Sequence, residues 1–251
     1  MAAPSVEKLL KSTDGIDIFA RAVGDHTKPS LVFVHGLALS GYVFDGLFKE
    51  DYLLDRFYLV SYDMRGHGRS GKPDTVEGYA STLYADDFAA VVNANLATVA
   101  CDVCANLESG SISGIVYAAG LPYMGPVMNE VGKPLILGFL PGLFSTDDVL
   151  LSIHTKIAFI DSIFNNPDGV PVGLNVQDPV VCKALLSRTQ DPGKLFQAGS
   201  DGLPLMMISG TKDTHIHTIE GGSHAMFYDN TEVFVKAVAE FATRVTRNSR
   251  P

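Results

Sequence analysis

Tyr62-Asp63-Met64-Arg65-Gly66-His67-Gly68-Arg69-Ser70 closes an apolar run at residues 57–62 with a dense cluster of glycine and charge. A short apolar run that stops at glycines reads as a buried strand entering a turn. Upstream, Ser30-Leu31-Val32-Phe33-Val34 behaves the same way and ends at His35-Gly36-Leu37. Neither run alternates polar with apolar, so each is expected to be a strand buried on both faces, as in a parallel sheet. Earlier still, residues 15–22 do alternate, with Ile16, Ile18 and Ala20 against polar neighbours, and predict an edge strand.

Downstream, residues 41–50 predict a short helix and residues 79–95 a longer one, with Leu83, Phe88, Val91 and Val92 apolar. Residues 115–119 and 205–209 predict two more strands, and residues 218–219 with their flanks a fifth. Residues 231–245 predict a closing amphipathic helix with Val233, Phe234, Ala237, Val238 and Phe241 on one side. Strands alternating with helices predict the α/β class, with a mostly parallel sheet covered on both faces. Between residues 123 and 202 the pattern turns rich in Gly, Pro, Phe and Leu, with helical pieces at 147–164 and 180–187. A long insertion between two strands reads as a helical cap. The division is therefore a core of residues 1–122 with 203–251, and a cap of 123–202. The chain has no internal repeat and no low-complexity segment.

Composition bounds the function. The chain has 251 residues, 46% hydrophobic and 19% charged, which is ordinary for a globular protein. Its net charge of −9 repels phosphate backbones, so no nucleic-acid partner is expected. No stretch approaches the roughly 20 apolar residues of a membrane span. The first fifteen residues lack an apolar h-region, so no secretory signal is expected. Together with only three cysteines, this predicts reduced thiols and a cytoplasmic location.

Four motifs carry a resemblance: Val34-His35-Gly36, Tyr62 to Ser70, Gly210-Thr211-Lys212-Asp213 and Gly222-Ser223-His224. In their order and placement the chain resembles a cap-bearing α/β-hydrolase of the broad esterase, epoxide-hydrolase and C–C-hydrolase group. The resemblance implies an α/β-hydrolase core and hydrolysis of a small apolar ester-like molecule, with neither metal nor organic cofactor. It implies that His224 is the base and that Asp213 is the acid orienting it. It assigns the oxyanion loop to His35, Gly36 and Leu37, with the Leu37 N–H as one donor. In such enzymes a nucleophile attacks an acyl or alkyl carbon, a histidine handles its proton, a carboxylate steadies the histidine and backbone N–H groups hold the oxyanion.

The nucleophile itself is not identified, because no Gly-x-Ser-x-Gly occurs in the chain. Val91-Val92-Asn93-Ala94-Asn95-Leu96 runs straight into Ala97-Thr98-Val99-Ala100-Cys101, where the family has its central strand and nucleophile elbow. Either the flanking strands pair directly, or a gap about one strand wide, roughly 4.8 Å, must be filled. A second gap follows Asp213, because too few residues precede the fifth strand for the dozen or so that a parallel crossover needs. The sheet is therefore expected to be incomplete and the protein to be a pseudoenzyme. Two losses of whole elements suggest a skipped-exon isoform or an incorrect gene model. The alternative reading is a non-catalytic module binding a small ligand.

Other signals have plainer readings. Ser109, Ser111 and Ser113 have the wrong glycine spacing for an elbow, and Ser70 belongs to a structural turn. Cys101 and Cys104 share a helix face as buried cysteines. His215 and His217, with His224 and Asp213, have zinc-like composition but read as a loop remnant. His67 reads as structural, and His35 as shaping its loop through hydrogen bonds. Phe139, Leu140, Leu143 and Phe144 either line an apolar pocket or form plain cap core.

Overall fold

Short runs of aliphatic and aromatic residues become the strands of this chain, and their partners are set by which faces they can bury. A computed structural model describes residues 3–37, 39–93, 100–108, 111–118, 134–166, 181, 183–184, 190–210, 218–219 and 223–248. The strands are β1 (Ser5–Lys11), β2 (Asp17–Val23), β3 (Ser30–Val34), β4 (Tyr58–Tyr62), β5 (Ile115–Ala118), β6 (Leu205–Gly210) and β7 (Thr218–Ile219). The helices are α1 (Asp51–Leu54), α2 (Ser81–Asn93), α3 (Ala100–Asn106), α4 (Pro134–Leu143), α5 (Val149–Ile163), α6 (Gly193–Ser200), α7 (Met226–Asp229) and α8 (Thr231–Asn248).

Among the described residues the strands form two sheets. One has the order β1-β2-β4-β3 and the other β5-β6-β7. β1–β2 and β2–β4 are antiparallel, whereas β3–β4, β5–β6 and β6–β7 are parallel. Among the described residues β3 and β5 do not pair, so of the two arrangements open for the missing central strand, the sheet takes the divided one. Continuity is kept by side chains instead. Phe33 on β3, Ile208 on β6, Ile219 on β7 and Phe234 on α8 share one apolar cluster, with Val116 of β5 packed against it. The short link after Asp213 does join parallel strands, with Ser209 opposite Thr218 and Gly210 opposite Ile219, but the ladder is only two residues long.

Three local expectations need correction. Residues 15–22 do not form an edge strand: β2 lies between β1 and β4, and the true edge is β1, whose largely exposed residues carry no apolar face to read. β3 is not buried on both faces, because it ends its sheet where the next strand would lie; only Phe33 is buried. Residues 41–50 do not form one helix but two 3-10 turns, Gly41–Phe44 and Leu47–Lys49, ahead of α1. Gly41 and Gly46 carry no Cβ-driven helix preference, and Asp63 captures the Gly41 N–H.

Between β5 and β6 lies a helical insertion. α5 starts where the Asp148 carboxylate accepts the Leu151 N–H at 2.8 Å, a standard N-cap. α4 and α5 approach closely at Gly142, where a Cβ would sit 1.9 Å from Thr155 Oγ1. α8 closes the domain with Phe234, Val235, Val238, Ala239, Phe241, Ala242 and Val245 buried, a spacing that follows the helical repeat. Among the described residues no helix is long and apolar enough to cross a membrane.

Candidate functional site

The turn after β4 is organised by Asp63. Its Oδ1 accepts the Gly41 N–H at 2.7 Å and its Oδ2 accepts the Arg69 N–H at 2.8 Å. One buried carboxylate thus ties the end of β4 to the segment that follows β3. Gly68 is required here: its φ is +47°, and a Cβ would lie 2.0 Å from Asp63 Oδ2. Ser70 completes the turn, accepting the Phe19 N–H at 2.8 Å and donating to the Asp63 carbonyl. Its hydroxyl is committed to structure.

Arg65 turns inward and is fully buried. Its Nε and Nη2 donate to Asp87 on α2 at 2.7 and 2.6 Å, and its Nη1 donates to Asp14 at 2.8 Å and to the Gly78 carbonyl at 2.8 Å. Burial alone would lower the guanidinium pKa, but the bonds to Asp87 and Asp14 outweigh it, and Arg65 is held above its ordinary value and stays charged. The network pins the turn to α2 and to the β1–β2 connection. Asp14 and Asp87 are the residues that sequence reasoning missed. No local pattern marks them, because the arginine joins segments 51 and 22 residues away.

That anchored turn positions His35. The Met64 N–H donates to His35 Nε2 at 3.0 Å, and His35 Nδ1 lies 2.9 Å from the Gly36 carbonyl. These partners assign the proton to Nδ1, since Nε2 must accept. Burial holds His35 below the ordinary imidazole range, only partly offset by the Gly36 carbonyl and the Asp63 charge. His67 stacks beside it with ring centroids 4.7 Å apart and donates from Nδ1 to the Arg65 carbonyl. Burial first, and then the neighbouring His35, keep His67 well below that range. Both rings are therefore neutral structural groups. Gly36 is exposed and Leu37 half-buried, so the loop backbone reaches the surface at the point assigned to oxyanion binding.

His224 is exposed, in the turn before α7. Its neighbour Ser223 is buried and donates to the Asp229 carboxylate, and the Ala225 N–H donates to the Ser223 hydroxyl at 3.0 Å. Asp229 also accepts the Asn165 N–H at 3.0 Å, while the Ala225 N–H reaches the Ile163 carbonyl at 2.9 Å. The His224 turn is thereby clipped to the C-terminal end of α5. Asp213, the expected partner of His224, lies outside the described residues, as do Ser109, His215 and His217. Ser111 lies in the loop before β5, where its hydroxyl donates to the Glu108 carbonyl at 2.6 Å.

In the helical insertion Leu143 is fully buried, and Phe139 packs edge-on against Phe159 at 5.9 Å, joining the main core cluster. Phe139 and Leu143 therefore serve packing. The covered face of α5 also holds two polar residues that no motif had marked, Ser152 and Lys156. The available signal was a lysine within the apolar spacing 152, 156, 159, 163.

Comparisons with known proteins agree with this architecture. Residues 29–99 match the family described as alpha/beta hydrolase fold. The bifunctional esterase/perhydrolase DCH of Acinetobacter calcoaceticus is 31% identical over 160 residues, 63% of this chain and 48% of that protein. The Mycobacterium tuberculosis protein named "Probable oxidoreductase EphD" is 37% identical over 91 residues, 36% of this chain and 15% of that protein. The chain thus spans half or less of the length of these relatives. Among solved structures, the esterase RhEst1 from Rhodococcus superposes with a TM-score of 0.78 at 23% identity, covering 95% of this chain and 99% of that one. At that identity the likeness speaks for the fold.

Proposed function

We propose, for a chain that belongs to the α/β-hydrolase superfamily, that it descends from hydrolases of small apolar esters and retains little or no hydrolytic activity. The observation that carries this reading is the absence of any Gly-x-Ser-x-Gly. The divided sheet supports it: an elbow is built on the strand between β3 and β5, and these two strands belong to separate sheets. On this reading residues 123–202 are a cap over the site. His35, Gly36 and Leu37 are the remnant of the oxyanion loop, with Asp213 and His224 as remnants of the acid and base. A base and an oxyanion loop without a nucleophile have no acyl-enzyme to form, so only slow water attack remains. The ester class of substrate is supported by the likeness to DCH.

The test is turnover of a short-chain aryl ester by the purified chain beside His224→Ala. Equal, background-level rates are expected. Robust turnover that disappears in His224→Ala would overturn the reading and send the search to Ser111 and its neighbouring serines.

A further inference from the structure

α5 carries apolar residues on two faces. Phe159 and Ile163 turn toward the rest of the molecule and join the main core cluster. On the other side Val149, Leu150, Leu151, Ile153 and Ile157 are 65%, 70%, 46%, 43% and 51% exposed. Val149, Ile153 and Ile157 are spaced i, i+4, i+8, so they form one row along the helix with Leu150 beside it. Such a row is a ridge of the kind that packs into the groove of a second helix. A single exposed apolar side chain is ordinary, but five on one helix make a patch. Helix propensity does not call for them, because Val and Ile are poorer helix formers than the charged residues usual on an exposed face.

The patch is its own complement. Asp147 and Asp148 precede the row and Asp161 follows it, while the one charged residue between 149 and 160, Lys156, belongs to the covered face. Val149 and Ile157 lie four residues to either side of Ile153. A two-fold axis at Ile153 therefore sets two copies of the helix antiparallel, Ile153 against its own counterpart and Val149 against the partner's Ile157. Symmetric dimers need a patch that fits itself in this way. The size is sufficient: the five residues leave roughly 500 Å² exposed, near the upper end for the largest patch on a monomer. Two copies would bury about 1,000 Å², where specific interfaces begin. An anionic lipid surface is a poorer occupant, because the flanking carboxylates and a net charge of −9 repel it.

We propose that the exposed row of α5 is a homodimer interface, in which this helix packs antiparallel on the same helix of a second copy about a two-fold axis at Ile153. The pairing is independent of whether the chain turns over esters.

The test is sedimentation equilibrium of the full chain over a range of concentrations. The mass is expected to rise from 26.9 kDa to twice that value and to stop there. Ile153→Asp should weaken dimerisation by about a hundredfold, because it sets two carboxylates against each other at the axis. Val149→Glu and Ile157→Lys should each weaken it, and the double variant should restore it, since each new charge then meets its opposite across the interface. Val233→Asp, on an exposed residue of α8, should leave the dimer intact. All the α5 positions are exposed, so near-UV circular dichroism of the variants should match the wild type. Should Ile153→Asp fail to fold, the charge-pair variants decide the matter. A monomer at every concentration, growth beyond the dimer, a dimer indifferent to Ile153→Asp, or a double variant no stronger than its parents would each overturn the proposal. So would a monomer that binds phosphatidylcholine vesicles through this row.

Discussion

Asp87→Ala tests whether the part of the fold that holds the His35 loop is natively packed despite the divided sheet. Asp87 and Arg65 are both fully buried, and the carboxylate takes two charge-assisted bonds at 2.7 and 2.6 Å. Removing one member of a buried pair typically destabilises by about 3–5 kcal/mol, since the other charge is left desolvated. Arg65 would keep Asp14, whose side chain is 28% exposed, so the lower end, about 3 kcal/mol, is expected. Unfolding entropy of about 2.1 cal/mol/K per residue over 251 residues gives roughly 0.5 kcal/mol/K, which turns this into a fall in Tm of about 6 °C. The assay is thermal unfolding followed by near-UV and far-UV circular dichroism. Arg65→Met with Asp87→Leu should recover most of the loss, because an apolar pair of similar volume leaves no uncompensated charge. The exposed pair Lys236–Glu232 serves as control, and Lys236→Ala should leave Tm unchanged. A Tm for Asp87→Ala within about 1 °C of the wild type would refute the argument: it would mean that Arg65 is not buried in solution and that this half is loosely packed.

Two further outcomes follow from the same region. Burial depresses the pKa of both His35 and His67 in the folded state, so the unfolded chain takes up their protons first as pH falls. Stability should be fully present above the ordinary imidazole value of about 6.5 and should fall below it, by up to roughly 1.4 kcal/mol per pH unit for each ring; urea midpoints between pH 8 and 5 check this, and His67→Asn should flatten the slope. Gly68→Ala should destabilise far more than Gly15→Ala. Both need positive φ, at roughly 1–2 kcal/mol for a residue with a Cβ, but only at Gly68 does the Cβ meet Asp63, whereas nothing lies within 4 Å of Gly15. Equal Tm losses for the two would show that the Asp63 clasp is not rigid.

Much of the architecture was legible because periodicity reports burial directly. β4, β5, β6 and α8 all lie where their apolar runs place them, and the Tyr62–Ser70 motif announces its turn through glycines that only such a turn requires. The edge strand β1 was not legible, because its residues are largely exposed and an exposed strand carries no apolar signature. α4 contains Pro141 and two glycines, residues that read as loop, yet packing against α5 keeps it helical.

The order of motifs along the chain, the missing elbow and the unusual shortness of two links are properties of the sequence alone, since each is a matter of which residue follows which. Three things depended on folding. β3 and β5 could have paired or stood apart, and the choice turns on a competition between sheet hydrogen bonds and side-chain packing that no local pattern encodes. Arg65 could have been a surface residue of its turn; it is buried only because α2 and the β1–β2 connection bring Asp87 and Asp14 to it. Lys156 could have been one more fully exposed side chain, and it is the covering of one face of α5 by the rest of the molecule that buries most of it. Burial is a collective property: it depends on residues far apart in the chain meeting in space, and charge acquires its energetic meaning only there.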